Sequence, residues 1–154
     1  MNRGLFIFIF MMSCYLIGCS NEELTVEKPP EASVQIGEQT YKTTLGSYCW
    51  SGEGKNTCVD KAGPVELLVE KTPIKVSPGE KITFLIDHKQ KPSKVEAVQF
   101  HKNKETDVLV KDHQLTAPME KGVYYYSYGV WWNDEKEPDV SNGDAFYAFV
   151  IEVE

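Results

Sequence analysis

The sequence predicts an all-β fold of two packed sheets, a β-sandwich, and three observations support this prediction. Short segments in which apolar and polar residues alternate recur from residue 34 to residue 154, as expected for strands with one buried face. Turns that contain Gly, Pro or Asn separate these segments at regular spacing. No window shows apolar residues at helical spacing over three turns. We therefore assign residues 34–154 to one sandwich domain.

The first residues are typical of a bacterial signal peptide that ends at a lipid-modified cysteine. Arg3 precedes an apolar run from Leu5 to Ile17, which is shorter than the roughly 20 residues of a membrane-spanning helix. The run leads into Leu-Ile-Gly-Cys19, which resembles a lipobox; the resemblance implies cleavage before Cys19 and attachment of diacylglycerol to its sulfur. Cys14 fits the pattern poorly, because Met-Met-Ser precedes it. An ordinary secretory signal that happens to contain Cys is the alternative.

This leader predicts a protein anchored to the extracytoplasmic face of the cell membrane. Residues 1–18 are the predicted signal peptide, and residues 19–33 are a polar, acidic tether that contains Pro29 and Pro30. One acyl chain, such as palmitate, binds a membrane only marginally, whereas two or three anchor firmly. A Pro-containing extended tether advances about 3 Å per residue, so the domain is expected some tens of Å from the bilayer.

The charge balance excludes some partners. The chain has 16 basic and 23 acidic side chains. Loss of Arg3 with the leader leaves 15 basic against 23 acidic side chains, a net charge of −8. Such a chain is a poor partner for nucleic acid or for phosphate-rich polymers. Lys89, Lys91 and Lys94 cluster, and we interpret them as a solvated loop.

The cysteines predict one disulfide in the mature chain. Of the four cysteines, Cys14 leaves with the leader and Cys19 carries the lipid. Cys49 and Cys58 remain, an even pair in an oxidising compartment. We expect them to form a structural bridge across a short loop.

The predicted elements follow from local patterns along the chain. The expected strands are Val34–Ile36, Tyr41–Leu45, Ile74–Val76, Lys81–Asp87, Val95–Phe100, Asp107–Val110, Gln114–Ala117 and the two strands of the last third. The polar segment between Cys49 and Cys58 is predicted as a loop. Pro64 suits the start of one short helical turn. Pro78 and Gly79 suit the central positions of a type II turn, and a further turn is expected at Lys102–Lys104.

The last third of the chain carries the strongest strand signals. Period-two alternation places one set of side chains on the inner face of each strand: Tyr124, Tyr126, Tyr128, Val130 and Trp132 on the first, and Tyr147, Phe149, Ile151 and Val153 on the second. The order Gly-x-Tyr-x-Tyr at Gly122, after a Pro-containing turn, is similar to the sixth strand of immunoglobulin-like domains with its tyrosine corner. These patterns favour an immunoglobulin-like sandwich.

Four segments together resemble a group of uncharacterised lipid-anchored lipoproteins of Gram-positive bacilli. The segments are Gly46–Trp50, Cys58–Asp60, the Tyr-rich strand, and Gly143–Tyr147. The resemblance covers nearly the whole mature domain. It implies a disulfide-closed loop and an extracytoplasmic immunoglobulin-like domain, and it implies no particular activity.

The sequence contains no catalytic signature, so we predict no catalytic residue and no cofactor. There is no Gly-x-Ser-x-Gly motif. The stretch from Gly52 to Thr57 resembles a phosphate-binding loop only superficially, because Cys49 and Asn56 stand where that motif needs Gly and Ser or Thr. We favour a protein that is not an enzyme. An enzyme whose site is assembled from distant residues remains the alternative.

The potential metal ligands show no matching spacing. His88, His101 and His113 lie on separate predicted strands or loops, and the two mature cysteines are assigned to the disulfide, so no transition-metal site is predicted. The acidic loop from Asn133 to Asp144 is oxygen-rich but lacks EF-hand spacing. A solvated loop is the favoured interpretation there, and calcium binding is left open.

Tryptophans are the strongest candidates for ligand binding. Neighbours on a strand face opposite sides, so if Trp132 points inward then Trp131 points outward. Trp50 lies near the expected bridge. We take Trp50 and Trp131 as candidate ligand-binding residues; whether they adjoin is left open. The alternative is that all three tryptophans are structural.

Together these observations predict a cell-envelope lipoprotein that acts as a binding or accessory module. The expected partners are the membrane, through the lipid anchor, and cell-wall glycan or peptide. A purely structural envelope protein is a further alternative.

Overall fold

The computed structural model describes residues 28–52, 55–134 and 141–154. The predicted signal peptide, Cys19 and most of the tether lie outside the described residues. So do positions 135–140 of the acidic loop. Within the described part, no helix is long and apolar enough to cross a membrane.

The all-β prediction is confirmed. The described elements are β1 (Ala32–Ile36), β2 (Gln39–Lys42), β3 (Thr44–Gly52), β4 (Lys55–Val59), α1 (Pro64–Leu67), β5 (Ile74–Val76), β6 (Lys81–Ile86), β7 (Lys94–His101), β8 (Lys104–Val108), β9 (Gln114–Thr116), β10 (Gly122–Asn133) and β11 (Ser141–Val153). They form a small sheet in the order β2-β1-β6-β9 and a large sheet in the order β4-β3-β11-β10-β7-β8, where β5 also pairs with β11. The two sheets pack face to face as a sandwich around one main core.

The second half of the chain has the strand pairing of an immunoglobulin-like sandwich. In that pattern the second strand pairs with the fifth, and the third, sixth and seventh strands form the other sheet. Here β6 pairs with β9, while β7, β10 and β11 are neighbours in the large sheet. β5 pairs in parallel with the end of β11. β5 thus takes the place of the first strand of the immunoglobulin-like pattern, beside the last strand. The strands β1–β4 extend both sheets beyond this pattern, because β1 adds to β6 and β3 adds to β11.

The Tyr-rich segment forms β10, which corresponds to the predicted sixth strand of the immunoglobulin-like pattern and contains the tyrosine corner. The Tyr124 hydroxyl donates a hydrogen bond of 2.8 Å to the carbonyl of Glu120, four residues upstream. This is the defining contact of a tyrosine corner. Gly122, which opens β10, has φ +153° and lies against the ring of His101.

The predicted inner faces of the last two strands are confirmed. The inward side chains of β10 are all at most 3% exposed: Tyr124, Tyr126, Tyr128, Val130 and Trp132. The inward side chains of β11 are also at most 3% exposed: Tyr147, Phe149, Ile151 and Val153. Phe84 of the small sheet stacks on Tyr128 with ring centroids 3.8 Å apart, so aromatic contacts join the two sheets.

The predicted loop between Cys49 and Cys58 is wrong, whereas the disulfide is confirmed. The described parts of this segment, residues 49–52 of β3 and 55–58 of β4, pair as antiparallel strands, and Cys49 and Cys58 lie directly opposite each other with α-carbons 4.1 Å apart. β4 lies at the edge of the large sheet, and of its residues only Val59 packs against the main core while Lys55, Asn56 and Cys58 are exposed. The polar composition of this segment therefore predicted a loop where a strand forms.

Other boundaries differ from the pattern-based expectations. Lys102 and Asn103 both have positive φ, 50° and 62°, which makes a tight two-residue hairpin turn. β8 therefore begins at Lys104, earlier than the expected strand from Asp107. At the start of the domain, β1 begins at Ala32, and the Pro30 carbonyl accepts a hydrogen bond of 2.6 Å from the Tyr147 hydroxyl. The first strand thus begins within the segment assigned to the tether.

Two predicted local structures are present. Glu80 N donates to the Ser77 carbonyl and Gly79 has φ +73°, as a type II turn requires. The short helical turn at Pro64 is α1. Behind α1, Leu68 packs with Ala148 and Val150 in a second small cluster, which lies on the outer face of the large sheet. α1 thus covers one part of that outer face.

Candidate functional site

Trp131 and Trp132 occupy opposite faces of the large sheet near the end of β10, as predicted. Trp132 is 2% exposed and belongs to the main core, whereas Trp131 is partly exposed on the outer face. The backbone here is held by Ser93: its N–H and hydroxyl donate to the Trp131 carbonyl at 2.8 and 2.9 Å, and its oxygen accepts from Asn133 N–H at 2.9 Å. These hydrogen bonds fix the backbone at the end of β10 that carries Trp131.

Trp50 lies at the end of the main core. Its ring centroid is 5.0 Å from that of Trp132 and 5.8 Å from that of His88, edge to face in both cases. Position 143 beneath it is Gly, and a β-carbon there would lie 2.6 Å from Trp50 Cε3. Trp132 Nε1 donates to the Gln90 carbonyl at 2.9 Å. These contacts close one end of the sandwich.

The register separates Trp50 from Trp131. Trp132, Gly143 and Trp50 are aligned across β10, β11 and β3, while the next row contains Trp131, Asp144 and Cys49. Because adjacent rows face opposite sides of a sheet, Trp50 points inward and Trp131 outward. The two candidate residues do not form one surface. A ligand contact by Trp50 stays a prediction, now separate from one by Trp131.

The ring of Trp131 packs against the ring of Phe146 above Gly129. A β-carbon at Gly129 would lie 2.7 Å from Trp131 Cη2 and 2.9 Å from Phe146 Cε1, closer than non-bonded carbons approach. The glycine thus lets both rings sit low on the sheet. The two rings meet edge to face, with centroids 5.6 Å apart. Lys94 Nζ lies 4.8 Å from the Trp131 ring centroid and pairs with Glu96 at 2.8 Å.

Asp144 provides a polar group in the same row. It lies between Trp131 on β10 and Cys49 on β3. Burial raises the pKa of its carboxyl above the ordinary value, and a hydrogen bond from the Cys49 backbone opposes this shift. A partly buried carboxyl beside an aromatic ring can hydrogen-bond a ligand hydroxyl.

A second pair of aromatic rings lies further along the same face. Tyr125 and Phe100 are register partners on β10 and β7, and they line a cavity of about 400 Å³ beside α1. A second cavity of about 200 Å³ lies between α1 and Phe146, with Ser127 and Ala148 in its wall. We call the four side chains Trp131, Phe146, Tyr125 and Phe100 the aromatic strip.

Most of the aromatic strip lies outside the packed cores. Trp131, Phe146 and Phe100 belong to neither of the two hydrophobic clusters that the described residues form, and only Tyr125 packs against the smaller one. Sequence reasoning identified Trp131 but missed the other three. The signal for Phe146 was present, because it stands between the inward Ala145 and Tyr147. Phe100 becomes a neighbour of Tyr125 only through the β7–β10 register.

The histidines and acids of the described residues form no evident reactive cluster. His88 Nδ1 contacts Gln90, and His101 Nδ1–H donates to the Val123 carbonyl at 2.8 Å. No hydrogen bond among the described residues joins a histidine to a serine or a carboxylate. In the same parts of the chain, no group of three or more His, Cys, Asp or Glu is placed to hold a metal ion.

Comparisons with known protein families, with curated proteins and with solved structures found no match to this chain.

Proposed function

We propose that this protein is a lipid-anchored module of the cell envelope that binds a ligand through the aromatic strip. One observation carries the proposal: Trp131 and Phe146 are in ring contact on an outer sheet face, with Phe100 further along the same face, and none of the three belongs to either core cluster. Large apolar side chains lower solubility when they stay on a surface, so a group of them on one face suggests a contact surface.

The proposed location rests on the leader and on the disulfide. The Leu-Ile-Gly-Cys19 motif supports cleavage and lipidation at Cys19, and the resemblance to Gram-positive lipoproteins agrees with it. The Cys49–Cys58 bridge is compatible with an oxidising, extracytoplasmic compartment. The tether then presents the sandwich to the inner side of the wall, where glycan and peptide are abundant.

The chemistry of the strip favours binding over a passive role. Trp131 and Phe146 offer apolar ring surface, while Lys94, Glu96 and Asp144 offer hydrogen-bonding groups at its border. Binding sites commonly combine apolar and aromatic walls with a few placed polar groups. An enzyme with a site assembled from distant residues stays an untested alternative, as does a purely structural envelope protein.

The test compares Trp131→Ala with Leu85→Ala in a wall-binding assay. Full-length protein in mild detergent is sedimented with purified peptidoglycan sacculi, and the bound fraction is measured over a range of sacculus concentrations. Leu85 is the matched control, because it is a partly exposed apolar residue on the small sheet, 37% exposed. We expect Trp131→Ala to weaken retention at least about tenfold, as for central aromatic contacts, and Leu85→Ala to leave it unchanged.

Two results would contradict this proposal. One is that wild-type protein is not retained by sacculi at any concentration. The other is that Trp131→Ala, shown to be folded by its far-UV and near-UV circular dichroism, is retained as well as wild type.

A further inference from the structure

We propose that the Cys49–Cys58 disulfide is a site of reversible thiol–disulfide exchange, which an external dithiol opens through the Cys58 sulfur while the sandwich stays folded. The bridge then has a chemical role besides closing the strand pair. This inference is independent of ligand binding by the aromatic strip. It requires an accessible sulfur, a core that does not depend on the bridge, and two thiols that stay close enough to pair again.

The bridge lies on the outer face of the large sheet, at its edge. Cys58, Cys49, Asp144 and Trp131 are aligned across β4, β3, β11 and β10, so both cysteines share the outward side with Trp131. Cys58 is exposed and Cys49 is half-buried. Exposed disulfides exchange with external thiols more readily than buried ones, because a thiolate has to reach one of the two sulfurs. The sulfur that a thiolate reaches here is that of Cys58.

The core packing of the domain does not involve the bridge. Neither cysteine belongs to either of the two hydrophobic clusters that the described residues form. Next to the bridge, Tyr48 pairs with Val59, and both pack in or against the main core. On the other side of the bridge Trp50, which also packs against that core, pairs with Thr57. Reduction should therefore leave the sandwich folded.

The strand pairing also keeps the two thiols together after reduction. Cys49 and Cys58 are direct register partners with α-carbons 4.1 Å apart. β3 is held on its other side by β11, so the position of Cys49 does not depend on the disulfide. Closing the bridge again needs rotation of two side chains and no rearrangement of the backbone. The exchange is thus reversible within the folded domain.

Asp144 makes the two sulfurs unequal. It pairs with Cys49 on the side away from Cys58, and its carboxyl accepts a hydrogen bond from the Cys49 backbone. A carboxylate this close disfavours a second negative charge on the Cys49 sulfur. In the reduced protein the thiolate therefore forms preferentially at Cys58. The more exposed sulfur of the pair is thus also the more reactive one.

The exchange takes place in two steps that conserve electrons. A thiolate of the dithiol attacks Cys58 Sγ, the S–S bond breaks, and the Cys49 sulfur leaves as a thiolate that takes a proton from water. The second thiol of the reagent loses its proton, attacks the reagent's own sulfur in the mixed disulfide, and releases Cys58 as a thiolate. The external dithiol is oxidised to a disulfide, and the Cys49–Cys58 disulfide is reduced to two thiols. The reverse sequence closes the bridge.

The first experiment measures opening of the bridge and folding in the same sample. Full-length protein in mild detergent is brought to equilibrium with one equivalent of reduced thioredoxin, a protein dithiol, and free thiols are alkylated and assigned by peptide mass spectrometry. We expect more than about half of the Cys49–Cys58 bridge to be reduced, because exposed, labile disulfides are more oxidising than this dithiol and structural ones are less so. Near-UV circular dichroism should be retained. A bridge that stays closed, or one whose opening abolishes the near-UV signal, would overturn the proposal.

The second experiment compares Cys49→Ser with Cys58→Ser, each of which leaves one thiol of the pair. Their rate constants for alkylation by iodoacetamide, a neutral reagent, are measured by the same peptide mapping. We expect Cys58 in the Cys49→Ser variant to react at least about tenfold faster than Cys49 in the Cys58→Ser variant. Equal rates, or faster alkylation of Cys49, would contradict the assignment of Cys58 as the reacting sulfur. If either variant does not fold, competition between the two thiols of reduced wild-type protein measures the same ratio.

Discussion

Tyr126→Ala is expected to lower the free energy of unfolding by about 3–5 kcal/mol, as for other large buried aromatic residues. Tyr126 is fully buried, and its ring stacks on Phe149 with centroids 4.9 Å apart. Its hydroxyl donates to Gln99 Oε1 at 2.8 Å in a partly buried hydrogen bond, and truncation removes that bond as well. Burial raises the pKa of this hydroxyl, and the group therefore stays protonated and able to donate throughout the neutral range.

The matched control for this prediction is Tyr125→Ala. Tyr125 lies on the outer face of the same strand and is only partly buried, against the small cluster beneath α1. Its truncation should cost clearly less than that of Tyr126. Equal losses for the two variants in a denaturant titration would mean that the assigned faces of β10 are wrong.

Cys19→Ala is expected to move the protein from the membrane fraction to the soluble or secreted fraction. The anchor that the Leu-Ile-Gly-Cys19 motif predicts is attached through this one sulfur, so the substitution removes the predicted attachment. Without the acyl chains, the acidic domain has little affinity for anionic lipid head groups. The measurement is cell fractionation followed by immunoblotting of full-length protein.

Cys14→Ala serves as the control for the anchor, since Cys14 lies in the predicted leader and should be removed with it. That variant should remain in the membrane fraction. The lipobox interpretation is excluded if wild-type protein and the Cys19→Ala variant distribute identically between membrane and medium.

Period-two alternation predicted the inner faces of β10 and β11 because these strands are long and their inward residues are large and apolar. β10 has twelve residues and β11 has thirteen, so it is clear which alternate side chains face inward. A shift of the pattern by one residue would expose a row of tyrosines. The tyrosine corner at Tyr124 was likewise visible, since its signal is local: a glycine, a spacing and a preceding turn.

Features that depend on pairing between distant strands could not be predicted. Trp50 and Trp131 lie on opposite faces because of the registers of β3, β11 and β10, and register is a property of two segments rather than one. The pairing of Phe100 with Tyr125 could not be predicted for the same reason. At the edge strand β4, an exposed position removed the apolar alternation on which strand prediction depends.

Neighbouring tryptophans of β10 lie on opposite faces of the sheet, and we propose different roles for them: Trp132 stabilises the core, and Trp131 serves the outer contact surface. The most direct test is the free energy of unfolding of Trp132→Ala and Trp131→Ala, measured by the same denaturant titration. We expect Trp132→Ala to cost about 3–5 kcal/mol, because its ring is 2% exposed. We expect Trp131→Ala to cost about 1–2 kcal/mol, for loss of partial burial only. Equal costs, or a greater cost for Trp131→Ala, would contradict this division of roles.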